Sequence, residues 1–209
     1  MSILNRLASL QNRRDEVPNQ ELARDLAARR DRTGIREIAE NLWNKNKDIQ
    51  SDCLKVLYEV GYIEPDLIAG YADDFVKLLK SKNNRLVWGA MIALAATAKV
   101  DPDTIFKNLD AVKKAKEAGS VITVDNAISV LANTASANPK YNALIFPDLL
   151  RHLSSCRPKE VPQHAERAVS AVNAGNKNDF IKVLEKRMED LSGDGLGRVK
   201  KLIKQVTTL

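Results

Sequence analysis

The chain holds two histidines, His152 and His164, and two cysteines, Cys53 and Cys156. His152 and Cys156 are four residues apart, a spacing that sets an imidazole beside a thiol on one face of a helix. Such a pair can activate a nucleophilic thiolate or give two ligands to a metal ion. A metal centre needs two more ligands, and no CxxC or HExxH companion accompanies the pair. A surface histidine beside a half-buried cysteine is therefore the expectation. Gly193-Asp194-Gly195-Leu196-Gly197 contains G-x-G-x-G, but it follows a helical pattern where a dinucleotide-binding loop would follow a strand. It reads as a helix C-cap and a flexible turn. Carboxylates are scattered: Asp73-Asp74 lies within a helical pattern, and Asp101 and Asp103 bracket a turn. With no phosphate-cradling loop and no nucleophile elbow, no catalytic, cofactor-binding or metal-ligating residue is assigned. The chain is read as a non-enzyme without a cofactor.

The elements that would carry these residues are helices. Of the 209 residues, 44% are apolar but only 5% aromatic, with nine glycines and seven prolines. That balance suits closely packed helices better than a β-sandwich. The opening residues, MSILNRLASLQNRRDE, are amphipathic and soon charged, so no secretory leader is expected, and no apolar run is long enough to span a bilayer. A cytoplasmic protein with reduced thiols is the expectation.

Comparing the chain with itself exposes a repeat. SDCLKVLYEVG, WGAMIALAATA and DNAISVLANTA start at Ser51, Trp88 and Asp125, 37 residues apart. In register, a small residue (Cys53, Ala90, Ala127) is followed four positions later by a leucine (Leu57, Leu94, Leu131), one face of a tightly packed helix. Weaker copies start at Gln163, with Ala165 and Val169, and at Gly197, with Val199 and Ile203. A second amphipathic pattern precedes each copy, over residues 33–44, 66–80, 103–118, 140–154 and 178–191. Glu64-Pro65-Asp66 and Asp101-Pro102-Asp103 occupy the same slot before two of these, where proline costs a helix nothing. Short links within each pair force antiparallel hairpins.

A period of this length, built of two helices with a proline-containing turn, resembles HEAT repeats, and an armadillo-like array is also admissible. The resemblance implies an all-α solenoid, an α-α superhelix of four to five helix pairs. Approximate repeats cover 33–63, 64–101, 102–138, 139–174 and 175–209. Residues 1–32 form N-terminal capping helices, Ile3–Leu10 and Pro18–Arg30, in one domain with the repeats. In HEAT repeats an Asp and a Lys or Arg near the start of the second helix often make an inter-repeat ladder. Asp52 with Lys55 fits that pattern, and Trp88–Leu94 departs from it.

The resemblance also implies a non-catalytic scaffold that binds a protein partner in a groove lined by second helices. Ser51, Trp88, Asp125 and Gln163 then form one column, Lys55, Ile92, Ser129, Arg167 and Lys201 another, with Arg85 flanking Trp88. Trp88 is expected to pack into the ridge between repeats, with a place in the groove as the competing reading; Trp43 is expected in core or cap packing. The alternative function is nucleic-acid binding, since some HEAT-like proteins are alkylpurine DNA glycosylases with a basic, tryptophan-bearing face. The net charge of +6 favours it weakly, because 27 acidic residues are mixed among 33 basic ones. Arg13, Arg14, Arg24, Arg29, Arg30, Arg32 and Arg36 interleave with acids and are expected to pair with them on a solvated face.

Overall fold

The computed structural model describes residues 2–209, and these fold as α-helices and short 3₁₀ turns without a strand among them. The chain divides into two compact units, residues 1–127 and 128–209.

In the first unit, 3₁₀ turns at Ile3–Arg6 and Ser9–Gln11 lead into α1 (Val17–Ala28), α2 (Arg32–Glu40), α3 (Lys47–Ile63), α4 (Ala72–Leu78), α5 (Asn84–Thr97), α6 (Pro102–Lys107) and α7 (Leu109–Ala118). The next helix, α8 (Val121–Ser136), contains the boundary between units. The second unit adds α9 (Pro139–Ser155), α10 (Val161–Ala168), α11 (Lys177–Arg187) and α12 (Gly193–Thr207). Within the first unit α3 packs against α1, α2 and α5; within the second, α9 packs on α11 and α10 on α12.

The repeat register sets the core. Cys53, Ala90, Ala127 and Ala165 are fully buried, as are Leu57, Leu94 and Leu131. These positions are thus the packed face of each second helix. Helix starts follow the punctuation. Asp101 caps α6 by accepting from the Thr104 N–H, and Asn138 caps α9 by accepting from Tyr141. Each cap satisfies a backbone donor that the helix cannot, worth about 1 kcal/mol.

Two glycines mark a close approach between α3 and α5. A Cβ added at Gly89 of α5 would stand 2.7 Å from Leu54 Cδ2 of α3, and one at Gly61 of α3 would meet Ala96 Cβ of α5 at 3.1 Å. The two contacts share one sequence offset, so α3 and α5 run side by side in the same direction.

Several expected elements differ in detail. The helix expected over 66–80 breaks into 3₁₀ turns at Pro65–Leu67 and Ala69–Tyr71 before α4. Leu67, Ile68 and Ala69 are all buried, and three consecutive residues cannot share one face of an α-helix. The helix expected over 103–118 is divided at Asn108, whose side chain donates to Thr104 O in place of a regular turn. Ile3–Leu10 forms 3₁₀ turns instead of a helix. The glycine run at 193–197 opens α12; it is not the turn after a helix. Val199, Leu202 and Val206 form the buried stripe of this helix beyond the glycines, and Gly193 takes the left-handed φ of +55° at its first position.

Candidate partner-binding site

Four of the expected groove residues meet in the first unit. Ser51, Lys55, Arg85 and Trp88 line one cavity of about 650 Å³, together with Leu54 and Tyr58 and with residues of the N-terminal segment. The helical repeat supplies one wall: Ser51, Leu54, Lys55 and Tyr58 recur along one face of α3, and Arg85, Trp88 and Gly89 along one face of α5. Ser9, Asn12, Arg13, Arg14, Asp15 and Glu16 supply the other.

Asp52 fixes the N-terminal wall. Its carboxylate accepts from the Ser9 N–H at 2.8 Å and from Asn19 Nδ2 at 2.8 Å, while Asn19 Oδ1 accepts from the Ala8 N–H at 3.0 Å. Asn19 is buried, so this chain of bonds ties the segment before α1 to α3 through satisfied polar groups. Asp52 and Lys55, the two residues that fit the ladder pattern, thus both reach the N-terminal wall. The Lys55 ammonium pairs with Glu16 at 2.7 Å and Glu59 at 2.6 Å and lies 4.8 Å from the centre of the Tyr58 ring. Burial pulls the Lys55 pKa down, but the hydrogen bonds to Glu16 and Glu59 outweigh it and hold the ammonium charged well above the ordinary lysine range.

Trp88 is half-buried and serves both readings of its position. Its ring leans on Tyr58 with centroids 6.2 Å apart, and it also forms part of the cavity wall. Arg13 is bound by Asp15. The guanidinium groups of Arg14 and Arg85 have no ion-pair partner among the described residues. The Ser9 hydroxyl, on the same wall, is buried with no hydrogen-bond partner. A buried hydroxyl without a partner costs about 1–3 kcal/mol, which a water or a ligand would recover.

The remaining column residues sit elsewhere. Asp125 is half-buried in α8. Within the second unit, Arg167 Nη1 donates to Ser129 Oγ at 2.8 Å, so two positions of one column are joined directly. Gln163 is half-buried, and Lys201 is exposed on α12. Of the interleaved N-terminal arginines, Arg29 binds Asp25, Arg30 binds Glu64 and Asp66, and Arg32 approaches Asp66. Trp43 departs from expectation. It is 51% exposed, because Leu42 beside it takes the core position at the end of α2.

The structure adds residues that the repeat register did not supply. Ser9 and Arg14 belong to the segment before α1, outside the repeats. In the second unit, His164 joins His152 and Cys156, whose expected neighbourhood contained no further ligand type. Arg187 is buried at the end of α11, bonded to Asp190 and to the carbonyls of Leu153 and Cys156.

No protein-family model matches the chain, and no curated protein matches it significantly. Solved structures do. An engineered protein aligns over 100% of this chain and 98% of its own length with 20% identity and a TM-score of 0.66. A designed armadillo repeat protein in complex with the peptide (KR)4 aligns over 90% of this chain and 85% of its own, with 15% identity and a TM-score of 0.69. The fold is that of an armadillo-like helical repeat. A second designed armadillo repeat protein matches 97% of this chain and 99% of its own length at 15% identity and a TM-score of 0.65. The all-α, solenoid-class fold of HEAT-like and armadillo-like repeats, expected from the 37-residue register, is thus the one observed. Among the described residues no helix is long and apolar enough to cross a membrane.

Proposed function

We propose that this helical repeat is a non-catalytic scaffold that binds a protein partner, and that a segment of the partner enters the first unit's cavity between α3, α5 and the N-terminal segment. The observation that carries the reading is the convergence there of Trp88 and the free guanidinium groups of Arg14 and Arg85. Trp and Arg bring large contact area with a polar handle, the composition of binding hot spots. Two free cations beside an aromatic ring suit a segment that presents an acidic side chain next to an apolar one. A neighbour of the same fold, a designed armadillo repeat protein, carries a peptide, which supports the partner class.

The nucleic-acid reading is less favoured, because phosphate binding draws on several unpaired cations on one face. Lys55 is held by two glutamates and Arg13 by Asp15.

Screening displayed peptides against the full chain tests the proposal. Acidic-apolar sequences should be enriched, and Trp88→Ala or Arg85→Glu should weaken their binding about tenfold or more, while Trp43→Ala leaves it unchanged. Enrichment of no peptide, or duplex DNA binding that falls steeply with salt and is lost on Arg85→Glu, would overturn it.

A further inference from the structure

The second unit holds a cluster that the docking role does not use. His152, near the end of α9, and His164, in α10, lie six residues either side of Pro158, so the hairpin brings them face to face. His152 Nε2 and His164 Nδ1 are 2.9 Å apart, with ring centroids at 4.8 Å. The ligand atoms of His152, Cys156 and His164 all lie within 4.8 Å of one another. His164 is fully buried, and the other two are half-buried.

We propose that these three side chains form a binding site for a borderline-soft divalent cation, zinc by its chemistry, with a fourth position open to water or an outside ligand. Imidazole and thiolate together select zinc-like ions over magnesium or calcium, which prefer oxygen. Zinc–nitrogen bonds are about 2.0–2.1 Å, so two imidazoles on one tetrahedral ion have nitrogens roughly 3.3 Å apart. The histidine pair needs only a slight separation to reach that spacing. With a zinc–sulfur bond of about 2.3 Å, the sulfur belongs roughly 3.5 Å from each nitrogen, so binding draws the Cys156 sulfur inward by about an ångström.

The surroundings hold the ligands in place, as outer groups do in metal sites. Arg187 donates to Leu153 O at 2.5 Å and to Cys156 O at 2.8 Å, closing the end of α9 and fixing the backbone that carries the thiol. Burial pushes the Cys156 thiol pKa up, and the Arg187 guanidinium opposes that push. Glu160, gripped by Arg157, puts a compensating negative charge near both Cys156 and His164. In the free chain one histidine ring donates its proton to the other. On binding, that ring carries its proton on its other nitrogen and the thiol releases its proton to solvent, so that the ion meets two neutral imidazoles and one thiolate.

The test is titration of the full chain, stripped of metal, with Zn2+ and then Co2+. One Zn2+ should bind per chain, and Co2+ should give a thiolate-to-metal charge-transfer band with the strong ligand-field absorption of a four-coordinate ion. Cys156→Ser should abolish that band and weaken Zn2+ binding about tenfold or more, as should His152→Gln for binding, with helical circular dichroism unchanged. Cys53→Ser should change neither. His164 is left in place, because losing a fully buried ring would disturb the core. The proposal is overturned if Zn2+ does not bind, if its binding is the same in Cys156→Ser and His152→Gln, or if the band survives in Cys156→Ser. If Cys156→Ser does not fold, His152→Gln decides by the same criterion.

Discussion

The cavity of the first unit and the histidine cluster of the second assemble similar polar groups under opposite conditions. Around the cavity, Arg14 and Arg85 face solvent, and water can hydrate their unpaired guanidinium groups. Around the cluster, His164 and Arg187 are buried and must be satisfied by named neighbours. Burial thus fixes one geometry in the second unit, whereas hydration leaves the first able to accept different side chains at modest cost. A built ligand set suits an ion; an open, partly charged wall suits a peptide.

The largest expected effect tests that contrast directly. Arg187→Met strands two carbonyls and frees Asp190, and should lower stability by about 3 kcal/mol in urea unfolding. Arg85→Met, on the exposed cavity wall, should cost no more than about 0.5 kcal/mol. Equal losses would break the comparison. Next comes packing beside the cavity: Gly89→Val drives two methyls into Leu54 and should cost about 2 kcal/mol, read from the shift in denaturation midpoint.

The third prediction concerns the first unit's own buried thiol. Burial, with Asp52 and Glu37 adding to it, pushes the Cys53 pKa from 9.0 to about 12. Above about pH 9 the unfolded chain gives up this proton while the folded chain keeps it. Stability therefore falls as pH rises, by up to about 1.4 kcal/mol per pH unit between 9 and 12. Denaturation of wild type and Cys53→Ala at pH 8.5 and 10.5 should show a smaller loss in the variant; parallel losses would show that Cys53 titrates freely. The smallest effect sharpens the comparison from inside the second unit. Arg198 and Glu166 make a bidentate but exposed pair, so Arg198→Ala should cost about 0.5 kcal/mol. A loss near that of Arg187→Met would mean that location, and not burial, governs these charges.

The fold was legible because repetition is a long-range signal. Cys53, Ala90 and Ala127 mark the same place in successive layers, and all are fully buried. The broken outer helices were not, since the burial of Leu67, Ile68 and Ala69 in succession is imposed by neighbours, not by periodicity. The cavity was half legible: Ser51, Lys55, Arg85 and Trp88 follow from the register, whereas Ser9 and Arg14 arrive from a segment with no repeat. Trp43 could not be placed because Leu42 and Trp43 compete for one core position, and the leucine takes it. His164 did carry a signal. Residues equally distant from the turn of a helical hairpin face one another, and His152 and His164 straddle Pro158 evenly.

The two glycine contacts between α3 and α5 act like a pair of gauge blocks. One, Leu54 against Gly89, lies beside the cavity; the other, Gly61 against Ala96, lies two turns further along. A side chain added at Gly89 presses on Leu54 at the cavity end of the contact, whereas one added at Gly61 meets Ile68 before it meets Ala96. The distance between α3 and α5 is thus set, at each end of the contact, by a missing side chain.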